Sequence, residues 1–301
     1  MPSYTYVSTA NAFTNFNVTP VFVDIQSTDL NIDVAKIENA ITPKTKAVVV
    51  VHYAGVACNM NEVLALCKNH GLILIEDAAH AFGAYYNKQP LGTIGDYGAI
   101  SFDHTKNIHC GQGGLLLVNK HNKVQGVDYI FENGTNKRDF LSGDKPYFEW
   151  VSKGSKYYLS DLNAAFLLAQ LERANNILSY RMKLWNSYNN AFASVEINEI
   201  QLPEIPSYAK HNAHIYHIRV GSLIERNNLQ KYLKEKGIEA AFHFIPLHSS
   251  TYGKKVGRFV GDDLYTTSTS ERLLRMPLHN QLTREDVLYV VEQVKEYFSK
   301  G

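Results

Sequence analysis

The stretch that decides the fold reads LILIEDAAH and covers residues 72–80. A second stretch of the same design, YGAISFDHTKN, follows at residues 97–107. Each begins with a short apolar run beside a glycine and ends in polar and charged residues, a pattern typical of a buried strand in a parallel sheet. Because ligands collect at the carboxyl ends of strands in open α/β sheets, we expect Asp77 and Lys106 to lie at one such edge.

The sequence around these stretches alternates between strand and helix patterns. Apolar runs at 21–25 and 46–51 predict two more strands, and helical spacing predicts helices over 31–41 and 60–70, the latter stopped by Gly71. Repeated strand–helix–strand units predict a parallel sheet with right-handed crossovers.

The second half of the chain shows a different pattern. Ser160 and the acidic turn after it predict the start of one long helix that continues to about Ala193. Beyond it, the pattern predicts strands at 213–220 and 240–245, a helix at 226–236, and a last helix capped at Thr283 with a valine-rich face. We therefore expect a large domain at 1–175 and a linking helix with a small C-terminal domain at 176–301.

Composition limits the classes of function. The chain has 301 residues, 45% of them hydrophobic and 20% charged, with a net charge of +1. This balance is typical of a globular protein and gives no reason to expect a nucleic-acid or membrane partner. Three scattered cysteines form neither a disulfide framework nor a metal cluster, which favours a reducing, cytoplasmic location.

Asp77 and Lys106 together match the needs of pyridoxal 5'-phosphate (PLP). A lysine amine condenses with the aldehyde of this cofactor to form a Schiff base. A carboxylate beside the pyridine nitrogen keeps it protonated, so the ring can accept electrons. Taken singly, the lysine would be read as a loop charge and the aspartate as a turn former or helix cap.

Five longer blocks extend the match: PSYTYVSTANA at 2–12, HYAGVAC at 52–58, ENGTN at 132–136, FHFIPLH at 242–248 and YTTSTSERLLRMPL at 265–278. With them the chain resembles the DegT/DnrJ/EryC1/StrS sugar-nucleotide aminotransferases, which belong to fold-type I of the PLP enzymes. Within that family it is most similar to the dTDP-4-amino-4,6-dideoxygalactose transaminases. The resemblance implies an α/β fold, with a mostly parallel sheet sandwiched by helices and a smaller α/β C-terminal domain.

The resemblance also implies roles for particular residues. Lys106 matches the lysine that forms the Schiff base and shuttles a proton, and Asp77 matches the partner of the pyridine nitrogen. His80 occupies the position close to the cofactor hydroxyl, Ser101 that of a phosphate-contacting hydroxyl, and Tyr6 that of an aromatic ring stacked on the cofactor. The structural alternatives are a histidine at a helix start, a strand-end serine and a core tyrosine.

Other assignments concern the substrate and a second subunit. In many relatives an asparagine from the neighbouring subunit reaches the cofactor phosphate, and Lys156 occupies that position here, with a plain surface charge as the alternative. We interpret His243 and His248 as substrate-side or packing residues and assign Asn107 to the substrate. The family's site is completed across a two-fold axis, so the resemblance implies a homodimer.

The activity that the resemblance implies is transfer of an amino group from L-glutamate to a nucleotide-linked keto sugar. The expected acceptor is dTDP-4-dehydro-6-deoxy-D-glucose, for enterobacterial common antigen, O-antigen or lipopolysaccharide synthesis. A sugar dehydratase of the same fold would carry histidine in place of Lys106.

Several dozen residues normally precede the matching text in the family and carry a phosphate-binding helix. The resemblance therefore also predicts an N-terminally truncated chain. The alternative function is an impaired relic that acts at most as a dimer partner.

Overall fold

The structure, a computed structural model, describes residues 1–120, 126–195 and 197–299. Its first part contains α1 (Val7–Thr14), β1 (Val21–Phe22), α2 (Val34–Ile37), β2 (Ala47–Val51), α3 (Met60–His70), β3 (Ile73–Asp77), β4 (Tyr85–Tyr86), β5 (Gln89–Pro90), β6 (Tyr97–Ser101) and β7 (Gly114–Val118). Short 3-10 turns follow α2 at Glu38–Ala40 and β2 at Tyr53–Gly55.

A four-stranded sheet in the order β2-β3-β6-β7 carries the site. Strands β2, β3 and β6 run parallel, and β7 joins the edge antiparallel to β6. Val51 lies opposite Asp77, and Asp77 lies opposite Ala99. The predicted parallel sheet is confirmed for these three strands, and their carboxyl ends share one edge, as expected.

Helix α3 forms as its sequence predicts. Met60, Val63 and Cys67 fall on one face and are buried in the large core beneath the sheet. Gly71 adopts a left-handed conformation at φ 62°, and the next N–H donates back to the Cys67 carbonyl at 2.8 Å. Glycine accepts this conformation without a steric cost, so the helix ends where the sequence indicates.

Two predicted elements near the start are shorter than expected. Only Val21–Phe22 forms β1, because its parallel partner is itself a two-residue strand at Arg258–Phe259. The predicted helix at 31–41 is realised as α2 and the 3-10 turn that follows it, with Asp33 accepting a hydrogen bond from the Ala35 N–H at 3.0 Å.

The later elements are α4 (Val127–Phe131), α5 (Lys137–Leu141), α6 (Asp161–Glu172), α7 (Ala174–Ser194), β8 (Ala209–Lys210), β9 (Tyr216–Arg219), α8 (Leu223–Glu235), β10 (Ala241–Phe242), α9 (Gly253–Val256), β11 (Arg258–Phe259), α10 (Thr266–Arg272), β12 (Leu273–Met276) and α11 (Arg284–Ser299).

The prediction of one uninterrupted helix from Ser160 to Ala193 is wrong. Ser160 does cap α6, since its hydroxyl accepts from the Asn163 N–H at 3.3 Å. The helix then breaks at Arg173, which lies at φ −102° and ψ 4°, outside the helical region. Arg173 closes α6 through its N–H and opens α7 through its carbonyl, which accepts from Ile177. A single residue with non-helical dihedrals is enough to divide the hydrogen-bond ladder.

A second core lies under the antiparallel sheet β10-β12-β9 and is covered by α7, α8 and α11. The strands predicted at 213–220 and 240–245 are shortened to β9 and β10, because both pair with the four-residue β12. The final helix forms as predicted: the Thr283 hydroxyl accepts from the Asp286 N–H at 3.2 Å, and its valines are buried.

The buried residues of the first core lie between Val23 and Leu91 and those of the second between Leu184 and Val294, and the predicted boundary between residues 175 and 176 falls just inside α7. Strand pairs also connect the halves, since β1 pairs with β11 and β4 with β8. The domain division therefore stays a prediction. Among residues 1–120, 126–195 and 197–299, no helix combines the length and apolar character needed to cross a membrane.

Candidate active site

Asp77 ends β3 with its carboxylate held from two sides. Oδ2 accepts a 2.6 Å hydrogen bond from Thr9 Oγ1 on α1, and Oδ1 accepts one of 3.0 Å from the Ala79 N–H. Thr9 Oγ1 lies 2.9 Å from Thr5 Oγ1, which extends the network. These donors fix the direction in which the carboxylate points.

Glu76, the residue before it, faces the other side of β3 and is fully buried. Its carboxylate accepts from the N–H groups of Gly92, Ile94 and Gly95 at 2.6–2.8 Å, and Oε2 lies 2.9 Å from His52 Nε2. The hydrogen bonds to His52 and to the backbone outweigh burial and lower the pKa of Glu76. This buried anion anchors the loop that leads into β6.

Lys106 lies in the loop after β6. Its backbone N–H donates to the Asp103 carbonyl at 2.9 Å, and the backbone N–H of His104 donates to the Gly111 carbonyl at 2.8 Å. Gly111 turns the loop at φ 82°, which favours glycine. Burial lowers the pKa of the Lys106 amine, although Asp77 and Asp103 oppose the shift. A larger share of free amine at neutral pH suits a nucleophile and a proton carrier.

Two cavities meet at Lys106. The smaller, of about 570 Å³, is lined by Asp77 and by the start of α1. The larger, of about 960 Å³, extends towards α7 and the segment after β12. Lys106, His214 and Arg275 line both cavities. A lysine at this junction is within reach of ligands in either space.

Three histidine rings cover one wall of the smaller cavity. The His80 ring stacks on His214 with centroids 4.2 Å apart and lies 6.1 Å from the His243 ring. His80 is nine-tenths buried, and its Nδ1 has no hydrogen-bond partner in the described chain. Burial, with nearby positive groups, lowers the pKa of all three imidazoles, so the rings are neutral near pH 7. Among the described residues, no three or more His, Cys, Asp or Glu side chains are arranged so that they could hold a metal ion.

Comparisons with known proteins agree with this geometry. The model of the DegT/DnrJ/EryC1/StrS aminotransferase family matches residues 1–295. The chain belongs to this family. SpsC of Bacillus subtilis, a spore coat polysaccharide biosynthesis protein, is 35% identical over 97% of this chain and 77% of its own length.

Solved structures show the same fold. PseC of Helicobacter pylori, an aminotransferase of pseudoaminic acid biosynthesis, superposes with a TM-score of 0.90 at 25% identity, over 100% of this chain and 79% of its own. Spr1654 of Streptococcus pneumoniae, a putative sugar aminotransferase solved in its PLP form, superposes with a TM-score of 0.88 at 26% sequence identity. The superposition covers 99% of this chain and 80% of Spr1654. The family and fold-type I expectations are confirmed, and the family depends on PLP. The expected N-terminal truncation stays a prediction.

The structure brings most of the predicted cofactor residues together. Tyr6, His80 and Ser101 line the same cavity as Asp77 and Lys106. The Ser101 hydroxyl accepts from the Asp103 N–H at 3.2 Å, and 59% of Tyr6 is exposed, so it is no core tyrosine. Their individual roles remain predictions.

The predicted substrate residues divide. His243 lines the smaller cavity, where its Nδ1 lies 3.1 Å from the Tyr53 hydroxyl. His248 lines neither cavity: its ring nitrogens pair with Ser3 Oγ at 2.8 Å and Asp263 at 3.1 Å. Those pairs connect His248 to two other segments of the chain, and its substrate-side or packing role stays a prediction.

Asn107 lines the larger cavity, and its substrate role stays a prediction, whereas Lys156 lines neither cavity. Asn107 is buried, and both ends of its amide bind protein groups, His214 Nδ1 at 3.0 Å and the Asn212 carbonyl at 2.9 Å. Lys156 is exposed, its backbone pairs with that of Glu132, and it lines neither cavity. Its contact from a second subunit stays a prediction.

Sequence reasoning missed two site residues. Thr9 binds Asp77, and Arg275 on β12 lines both cavities with a buried Nε that has no partner in the described chain. Both stand inside the blocks that carry the family resemblance. Arg275 stands between a leucine and a methionine in an apolar strand. This position could have marked it as a site residue, because a buried charge needs a partner.

The residues of the smaller cavity fit PLP. Lys106 supplies a buried amine of lowered pKa and Asp77 a fixed carboxylate. His80 lines the same space, and its Nδ1 is a buried polar atom without a partner in the described chain.

Proposed function

We propose that this sugar aminotransferase moves an amino group from L-glutamate to a nucleotide-linked keto sugar, with PLP held by Lys106 and Asp77. The observation that carries the proposal is the convergence of these two side chains on one cavity. When bound, PLP withdraws electrons from the substrate carbon that bears the transferred nitrogen.

The protein's own groups then divide the work. Asp77 would accept the N–H of the pyridine ring and keep it protonated, and the hydrogen bond from Thr9 fixes the direction of the carboxylate. The Lys106 amine would carry a proton between the donor carbon and the cofactor carbon, and its lowered pKa would keep it competent as a base. His80 and Tyr6 bound the cavity in which this occurs.

The proposed amino donor suits Arg275. L-glutamate carries two carboxylates, and a guanidinium with a buried, unpaired Nε needs an anionic partner. Arg275 lines the cavity of Lys106, so a donor carboxylate bound there would lie beside the amine. The larger cavity, which Lys106 also lines, offers room for a nucleotide-linked sugar.

The acceptor that we propose is dTDP-4-dehydro-6-deoxy-D-glucose, converted to dTDP-4-amino-4,6-dideoxygalactose for surface polysaccharides such as enterobacterial common antigen, O-antigen or lipopolysaccharide. The polysaccharide role of SpsC supports this class of product. We place the reaction in the cytoplasm, which suits three free, buried cysteines.

A homodimer is part of the proposal. Helix α6 has no buried residue, and apolar side chains cover it, with Leu162 84% exposed. Trp150, in the segment before it, is 79% exposed. Apolar surface of this extent is usual where another subunit packs, and a second copy would also bring its own Lys156 segment to the interface.

Borohydride trapping tests the cofactor assignment. The purified chain is incubated with PLP, reduced, digested and mapped, and we expect the adduct on Lys106. The Lys106→Arg variant should give no such adduct, while Lys88→Arg, which changes an exposed loop lysine, should label normally. An adduct on another lysine of the wild-type chain would refute the role of Lys106.

Turnover tests the substrate. With L-glutamate and dTDP-4-dehydro-6-deoxy-D-glucose we expect the 4-amino product, identified by NMR. Bound cofactor without transfer to any nucleotide-linked keto sugar would favour the impaired relic instead.

A further inference from the structure

His214 occupies an unusual position at the junction of the two cavities. It lines both of them beside Lys106, and the residue is partly exposed. One face stacks on His80 at 4.2 Å. Nδ1 lies 3.0 Å from Asn107 Oδ1, and no hydrogen bond to the described residues occupies Nε2. The free nitrogen is therefore available to a ligand.

The surrounding hydrogen bonds set the tautomer of this ring. Asn107 donates through Nδ2 to the Asn212 carbonyl at 2.9 Å, so its Oδ1 is an acceptor. His214 must then donate through Nδ1–H. Burial keeps the ring neutral by lowering its pKa, and a neutral imidazole carries a single N–H. Nε2 is consequently a bare acceptor.

The backbone around His214 is held firmly. Arg181 donates to the carbonyls of Ala213 at 3.1 Å and of His214 at 2.9 Å. Asn212 donates to the carbonyls of His80 at 2.7 Å and Phe82 at 2.9 Å. Ala213 has φ 51°, a strained value for alanine. Backbone strain that the surrounding structure maintains is common at functional sites, where it fixes the orientation of a side chain.

We propose that Nε2 of His214 binds a hydroxyl of the sugar substrate and that Asn107, by fixing the tautomer, makes this point selective for hydroxyl donors. The inference rests on the proposed function. A bare nitrogen accepts a hydrogen bond from a hydroxyl but repels the lone pairs of a carboxylate or phosphate oxygen. Arg275, a donor, serves the anionic groups, and His214 is the complementary acceptor that lines the same cavities.

Nitrogen-15 NMR of histidine-labelled protein tests the tautomer without any turnover. Signals of His214 are identified by their loss in His214→Phe, which keeps a ring to stack on His80. We expect a protonated Nδ1 and a bare Nε2 in the wild type. In Asn107→Leu the Nδ1–H form should lose its dominance. A protonated Nε2 in the wild type at neutral pH would overturn the proposal.

Half-reaction kinetics test the ligand. In His214→Phe, kcat/KM for the dTDP-keto sugar should fall about fivefold, the scale of one neutral hydrogen bond, while the L-glutamate half-reaction changes less than twofold. His214→Gln, which can place an acceptor oxygen near Nε2, should recover most of the loss. His70→Gln changes an α3 surface histidine and serves as the control.

A substrate analogue identifies the partner group. The dTDP-keto sugar lacking the hydroxyl beside its carbonyl should lose about fivefold with wild-type protein and nothing further with His214→Phe. Equal losses in both proteins would refute the hydroxyl contact. Failure of every sugar with normal L-glutamate chemistry would refute the proposed function, and the NMR result would still decide the tautomer.

Discussion

Replacement of Glu76 by glutamine should destabilise the protein strongly, although the two side chains have the same shape. The carboxylate of Glu76 is fully buried and accepts four hydrogen bonds, from His52 and from three backbone N–H groups. An amide has one oxygen. Placed at Oε1, it keeps the bonds from Ile94 and Gly95, but its NH₂ then faces the donors of Gly92 and His52.

The magnitude follows from those two contacts. His52 cannot adapt by moving its proton to the other nitrogen, because Nδ1 accepts from the Cys58 N–H at 3.2 Å. Two buried donors lose an acceptor, at about 1–3 kcal/mol each, so we expect a loss of about 4 kcal/mol in the free energy of unfolding. That is a large part of the 5–15 kcal/mol that is usual for folded proteins.

Urea unfolding followed by circular dichroism, at fixed protein concentration and pH 7, measures the change. Glu199→Gln, at an exposed turn, is the matched control and should shift stability by less than about 0.5 kcal/mol. A loss in Glu76→Gln no larger than the control's would refute the reasoning.

The pH dependence gives an independent check. The pKa of Glu76 is lowered on folding from 4.5. Its contribution is therefore fully present above pH 4.5 and is lost as the pH falls through the lower folded-state pKa. Stability of the wild type should decline more steeply below pH 4.5 than that of Glu76→Gln, and parallel curves would contradict the assignment.

Three further outcomes are expected. Asp77→Asn should keep the fold but slow transamination at least a hundredfold (about 2.7 kcal/mol), since an amide cannot hold the pyridine proton; near wild-type turnover with PLP bound would refute the role. Arg275→Met should raise KM for L-glutamate about tenfold or more and leave binding of the dTDP sugar nearly unchanged; the reverse pattern would assign Arg275 to the nucleotide. The wild type should scatter light as a dimer at micromolar concentration and Leu162→Asp as a monomer, whereas a monomeric wild type would contradict the interface.

The sequence by itself located the two groups on which the proposal depends. A strand that ends at Asp77 and another that ends shortly before Lys106 are local patterns, and parallel pairing places such ends at one edge. The ends of α3 and α11 were equally readable, because Gly71 and the Thr283 cap act on their immediate neighbours. Local periodicity and capping need no knowledge of distant residues.

Tertiary structure decided the rest of the site. Thr9 reaches Asp77 across 68 residues, and Asn107 reaches His214 across 107. Arg275 lines both cavities from β12, which lies between β9 and β10 in the sheet. His248 lies close to His243 in sequence, but its ring contacts Asp263. The local sequence around these residues does not predict their partners, because the partners depend on how the two cores pack together and on where distant parts of the chain meet. The sequence by itself therefore indicated the cofactor chemistry, and only the packing of the fold determined which side chains surround it.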